Sequence, residues 1–136
     1  MKKLILASLV GAAALLSTGC ENKVGQCNAL IKVLNEAQGK IKPAKADPGA
    51  FEALAGDLET AAGEVGKAEV KLPELQKFRN DYKQLLLDTA KGMRDASVGA
   101  KAGDIAKLGA AAKSMSEMST RVGKLTQDIN QFCGGK

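Results

Sequence analysis

The chain has 136 residues, a formal net charge of +5, no histidine, no tryptophan, one tyrosine and three phenylalanines. The missing histidine excludes His-ligated haem, His-containing zinc sites and Ser-His-Asp or Cys-His nucleophile arrangements. The scarcity of aromatic rings leaves few platforms on which nucleobases could stack, and the length suits one domain with a modest core.

Lys2 and Lys3 precede an uncharged run from Leu4 to Cys20 that ends in small residues, the three-part pattern of a secretory signal. Seventeen residues fall short of the about 20 that a membrane-spanning helix needs, so cleavage is expected rather than retention. The end of the run, Leu16-Ser17-Thr18-Gly19-Cys20, resembles the lipobox of bacterial lipoproteins, in which small residues precede a cysteine that is lipidated and becomes the mature N-terminus. Ser17 departs from the leucine that usually stands three places before the cysteine, with Leu16 one place earlier.

The resemblance implies cleavage between Gly19 and Cys20, a diacylglyceryl thioether on Cys20 and an acylated, palmitate-type amine. Two or more acyl chains, at about 0.8 kcal/mol per buried methylene, hold a protein stably where one does not. In Gram-negative lipoproteins an Asp after the cysteine signals inner-membrane retention; here Glu21 follows, which points to the outer membrane, facing the periplasm. An ordinary signal peptide ending near a buried cysteine is the other reading of these residues. The resulting division is a signal peptide at 1–19, a lipidated N-terminus and short tether at 20–23, and a folded domain at 24–136.

With Cys20 carrying lipid, Cys27 and Cys133 remain in a compartment that favours disulfides. They are expected to pair, closing a loop of about 100 residues, for which the chain-entropy model gives roughly 4 to 5 kcal/mol. Two buried free thiols are the alternative. There is no CxxC pair to suggest redox catalysis or metal binding.

Beyond the leader, apolar residues recur at helical spacings almost throughout. Val24, Cys27, Ile31, Leu34 and Ile41 mark a first helix ending before Pro43, and Asp47-Pro48 opens a second, carried by Phe51, Leu54, Leu58, Ala61, Val65 and Ala68. Leu72-Pro73 interrupts the pattern before a third helix on Leu75, Phe78, Tyr82, Leu85, Thr89, Met93 and Ala96. Residues 97–103, SVGAKAG, read as the next break, with Asp104 capping a fourth helix that Gly134-Gly135 stops. No segment alternates at period two. Short connections then predict an all-α, antiparallel up-down-up-down four-helix bundle, which puts Cys27 and Cys133 at the same end.

That end would lie close to the membrane with Lys67, Lys71 and Lys136, the three-residue tether reaching about 10 Å at most. The far tip is expected to gather Lys40, Lys42, Lys45 and Lys101, a surface for meeting a partner. Gly49, Gly56 and Gly63, seven apart, read as permissive composition on an exposed face, with close approach of another helix as the alternative.

Candidate chemistry is sparse. Glu64 with Glu69, and Asp81 with Asp88, have spacings typical of solvated helix faces, and Met115 and Met118 read as core rather than ligands. Losing Lys2 and Lys3 with the leader leaves a net charge of about +3 with alternating signs along the helices, a solvated surface. Export also removes nucleic acid as an ordinary partner. The sequence therefore predicts a non-enzymatic, lipid-anchored cell-envelope protein, without cofactor or metal, in a structural, adaptor or binding role toward an envelope protein or cell-wall partner. The alternative is a carrier or sensor holding an apolar small ligand between its helices.

Overall fold

The protein was analysed as a computed structural model that describes residues 18–42 and 47–134, with side chains from Asn22 onward. Four helices follow in order: α1 Thr18–Lys40, α2 Pro48–Gly66, α3 Pro73–Ala102 and α4 Ile105–Gly134. They run up, down, up and down, each packing on its neighbour in sequence, and α1 also touches α3 and α4. Among the described residues α2 and α4 do not meet. The third helix is the shared support, with ten buried residues from Leu75 to Gly99 against two in α4, Ala111 and Ile129.

The helix ends follow from local chemistry. Asp47 has an extended backbone, and its Oδ1 accepts from the Ala50 amide at 2.8 Å, which supplies a partner for one orphan donor of α2 just ahead of Pro48. Leu72, forced extended by the proline that follows, starts α3 without a side-chain cap. Asp104 Oδ1 accepts from the Lys107 amide at 3.2 Å and caps α4. Between α3 and α4 stands Gly103 at φ 69°, a left-handed conformation that returns amide bonds to the last turn of α3 and that glycine adopts without steric cost.

Two boundaries differ from the sequence expectation. Residues 97–103 are not a break: α3 continues through Ala102, and only Gly103 and Asp104 form the turn. Ser97 is buried and its Oγ donates to the Pro48 carbonyl oxygen at 2.9 Å, joining α3 to α2 rather than ending a helix. Gly99 lies where α4 comes closest; a Cβ there would stand 2.5 Å from the Lys107 Cβ and 3.3 Å from the Asp104 oxygen. At the other end α1 begins at Thr18, so residues 20–23, expected as a tether, are part of its first turns.

The helices are also staggered along the bundle axis. Gln26 near the start of α1 lies against Lys71 and Leu72, while Gln38 donates to the Tyr82 hydroxyl, a third of the way up α3. By Lys42 the chain has reached only Asp57, whose Oδ2 accepts from the Lys42 amide at 3.4 Å. Asp57 is about 14 Å along α2 from Pro48 at 1.5 Å per residue, and Pro48 is the residue bonded to Ser97. Only the last turns of α1 and α2 lie side by side, as the Lys40–Glu64 contact at 3.9 Å marks. The first helix thus packs on the lower half of the α3–α4 hairpin and α2 on the upper half of α3.

What permits this offset is the 67–72 connection. It runs along the base of α3 with Ala68 and Val70 buried, and α3 side chains satisfy its carbonyls: Arg79 Nη1 donates to the Ala68 oxygen and Gln76 Nε2 to the Val70 oxygen. A connection that carries core residues this way takes the place of another turn of α2.

Glycines separate into two groups, and substitution tests the distinction. Gly99→Ala should lower stability by about 1 to 3 kcal/mol through overpacking, offset by up to about 1 kcal/mol of helix propensity. Gly56→Ala and Gly63→Ala, where a Cβ meets nothing within 4 Å, should raise it by about 0.5 to 1 kcal/mol each. Urea midpoints of the three variants decide it, with opposite signs expected.

Candidate functional site: the cysteine-linked end of the bundle

Chemistry-bearing residues converge at the lower end, where α1 enters, the 67–72 connection passes and α4 stops. Cys27, buried in α1, and Cys133, half-buried in the last turn of α4, form a disulfide with a Cα–Cα distance of 5.8 Å across a sequence separation of 106. A loop of that length corresponds to about 4.7 kcal/mol in the chain-entropy model. One residue before Cys27, the Gln26 side chain accepts from both the Lys71 and Leu72 amides through a single oxygen, while its Nε2 donates to Asn22 Oδ1 at 2.7 Å. Leu72 is held extended ahead of Pro73, so no helical carbonyl meets its amide, and Gln26 supplies the acceptor.

Aromatic contacts complete this end. Phe132, the neighbour of Cys133, meets Phe78 of α3 edge to face with centroids 6.0 Å apart, a geometry that favours ring quadrupoles. Lys23 Nζ lies 4.4 Å from the Phe132 centroid, which ties the start of α1 to the end of α4 a second time. Above it, Tyr82 is buried with its hydroxyl accepting from Gln38 Nε2 at 3.0 Å; burial raises its pKa and the Gln38 hydrogen bond opposes that rise. Cys20 belongs to α1 two turns before Cys27, about 10 Å along the axis.

The lysines expected at one tip are not brought together. Lys101 is in the last turn of α3 at the upper end. Lys40 lies beside Glu64 and Lys42 beside Asp57, halfway down the molecule, because α1 stops where α2 stops. Lys45, Lys136 and Gly19 with its cleavage junction are a separate matter: Lys45 and Lys136 lie outside the described residues, as do signal residues 1–17, and Gly19 falls in the first turn of α1. Lys67 pairs with the same Glu64 at 3.1 Å, and Lys71, nearer the lower end, is exposed.

Of the carboxylates considered in pairs, Glu64, Asp81 and Asp88 are engaged singly with bases or amides, and Glu69 is exposed. Lys67 by hydrogen bond, and Lys40 and Lys67 by charge, lower the Glu64 pKa. Asp81 bonds Lys77 at 2.6 Å and Asp88 accepts from Gln84 at 2.8 Å. A group that sequence reading did not single out, Glu52–Arg94–Glu59, ties α2 to α3: Arg94 takes Glu59 through Nε and Nη2 at 3.1 and 2.7 Å and Glu52 through Nη1. The Arg94 hydrogen bonds hold the Glu59 carboxyl below its usual range. Its signal was available only as three separated charges, since a 35-residue separation carries no spacing rule.

Spaces open to the surface lie between the described helices. A groove of about 330 Å³ between α3 and α4 has charged walls of Lys77, Asp81, Arg121, Lys124 and Asp128 above Leu85 and Leu125. A smaller space of about 90 Å³, bounded by Leu34, Gln38, Tyr82, Thr126, Ile129 and Asn130, separates α1 from the hairpin. Among the described residues no three of His, Cys, Asp or Glu are placed to hold a metal ion, and no helix is long and apolar enough to cross a membrane. Compared with family models, curated proteins and solved structures, the chain matches none of them.

Two measurements probe the site. Gln26→Ala leaves the Lys71 and Leu72 amides without their acceptor and should cost about 1 to 2 kcal/mol in urea unfolding, whereas Tyr82→Phe, which loses a bond to the exposed Gln38, should cost less than about 1 kcal/mol. The second concerns pH: Glu59, with its folded pKa depressed, contributes stability at neutral pH that is lost as pH falls through the carboxylate range. The drop in urea midpoint between about pH 7 and about pH 3 should be larger for the native chain than for Arg94→Ala.

Proposed function

We propose that this is a lipid-anchored cell-envelope protein, tethered through Cys20 and serving a non-enzymatic structural, adaptor or binding role on the membrane surface. The observation that carries the reading is the placement of the lipobox-like cysteine: Cys20 lies on the helix whose next cysteine, Cys27, is bonded to the end of α4. One covalent route therefore leads from the anchor to both ends of the folded domain. A lipidated helix joined in this way transmits membrane attachment to the whole bundle rather than to one strand of chain.

The partner is an envelope protein or a cell-wall component, and the facing residues are the exposed charges of the α3–α4 side. The charged walls of the 330 Å³ groove suit a polar partner. They weigh against an apolar ligand at that groove, and the space between α1 and the hairpin, about 90 Å³, is below the about 300 to 1,000 Å³ of small-molecule sites.

Intact mass of the protein purified from membranes, before and after reduction and alkylation, tests the reading. A mass matching residues 20–136 plus acyl chains is expected, with two alkylations appearing only after reduction. Cys20→Ser should move the protein to the soluble fraction. A mass without lipid would overturn the anchor, and crosslinking of intact envelopes that repeatedly returns no partner would count against the adaptor role.

A further inference from the structure

The helices are unequally held. Four side chains of α1 are buried, Cys27, Leu30, Leu34 and Ala37, two of them large aliphatics, along a helix of 23 residues. The second helix buries six over 19 residues and adds the Arg94 ion pairs and the Ser97–Pro48 bond. In α3 ten are buried. The polar contacts of α1 with the rest of the molecule are few and sit mainly at exposed or half-buried positions: Gln26 on the 67–72 connection, Gln38 on Tyr82, and Lys40 on Glu64. Against that modest noncovalent hold stands one covalent bond, placed near the helix's lower end where it meets α4.

We propose that the Cys27–Cys133 disulfide is a reducible latch: closed, it holds α1 on the α3–α4 hairpin; reduced by a dithiol, it lets α1 leave while α2, α3 and α4 stay folded. The exchange step balances with a dithiol reductant as the electron donor. One thiolate of the reductant attacks the half-buried Cys133 sulfur, the S–S bond breaks, and Cys27 leaves as a thiolate that takes up a proton. The second thiol of the reductant then displaces Cys133 as its thiol, and the reductant departs as a disulfide, two electrons and two protons having passed to the cystine.

The consequence for the anchored protein rests on the reading of Cys20 as the lipid site; the latch itself does not. Closed, the domain is fixed at the base of α1. Open, residues 20–47 become the leash between membrane and domain, a reach of up to about 90 Å at full extension. Reduction would convert a rigid mount into a long tether without releasing the protein from the membrane.

Tyr82 reports the event, because it is the only tyrosine, tryptophan is absent, and α1 covers and hydrogen-bonds it. The test uses the full chain carrying Cys20→Ser, treated with dithiothreitol, with hydrogen exchange followed by helix and Tyr82 emission read alongside. Expected are α1 amides exchanging at least about 100-fold faster after reduction, mid-α3 amides changing less than about tenfold, and a Tyr82 signal that shifts toward exposed tyrosine. The same pattern is expected without reductant in the Cys27→Ala, Cys133→Ala double variant.

Equal acceleration in all four helices, or a double variant that does not fold, would show the bond to be a general staple and overturn the latch. Unchanged α1 exchange in reduced protein whose two thiols alkylate would overturn it as well. Because the chain tested has no lipid, these outcomes are separate from the mass measurement that decides the anchor.

Discussion

The bond between Cys27 and Cys133 joins the entry of the first helix to the exit of the last, and the layout of the lower half depends on it. The α3–α4 hairpin is closed at its top by Gly103 and Asp104, and α2 is held on α3 by buried alanines and leucines. Neither feature reaches α1. Leu30, Leu34 and Ala37 join α1 to the common core, the disulfide adds the one covalent link, and the contacts around it, Phe78 on Phe132, Lys23 over Phe132 and Gln26 under the 67–72 connection, all lie within a turn or so of the two sulfurs. A core rich in alanine, in a chain with 3% aromatic residues, gives little apolar area per residue. A constraint on the unfolded chain of about 4.7 kcal/mol is large beside the 5 to 15 kcal/mol that single domains typically have.

Polar side chains take over part of the work that a larger core would do. The 67–72 connection and the start of α2 are held from neighbouring helices: Gln26 accepts from the amides of Lys71 and Leu72, Arg79 and Gln76 donate to the carbonyls of Ala68 and Val70, and Ser97 donates to Pro48. These bonds sit at partly buried positions, where a backbone group without a partner costs more than the bond itself contributes. They fix where each helix begins relative to α3, which small side chains alone would allow to slide.

Local signals in the sequence were legible where one residue decides the outcome. Asp47-Pro48, Leu72-Pro73 and Asp104 mark helix starts by their own backbone chemistry, and the helix order followed from those marks together with the apolar period. The pairing of Cys27 and Cys133 was legible because two different features, cysteine arithmetic and antiparallel topology, placed them at one end. Gly99 was not: a glycine between Val98 and Ala100 reads as a breaker unless one knows that Lys107 lies across from it. The axial offset of α1 and α2 was hidden for a similar reason. It is set by Ala68 and Val70 packing from a connection onto α3, and a two-residue apolar signal in a loop has no period to detect. The lysine tip failed with it, since Lys40 and Lys42 reach the far end only in a bundle whose helices start and stop together.

That offset gives the two halves of the molecule different mechanical roles. The upper half is α2 and α4 on either side of α3, held by buried side chains and by Arg94. In the lower half α1 occupies the seat on the hairpin, and its first turns run straight into residues 20–23 rather than into a loose linker. On the anchored reading the helix axis of α1 therefore sets the angle at which the domain stands on its membrane, with about 5 Å of helix between Cys20 and Lys23 and no hinge of glycine or proline among Cys20, Glu21, Asn22 and Lys23. On that reading a stiff mount would present the side walls of α3 and α4, with their alternating charges, at one height and orientation. The groove of Lys77, Asp81, Arg121, Lys124 and Asp128 lies in the lower and middle part of that wall, which on the anchored reading is the part nearest the membrane, while Lys101 and the Gly103 turn lie at the opposite end.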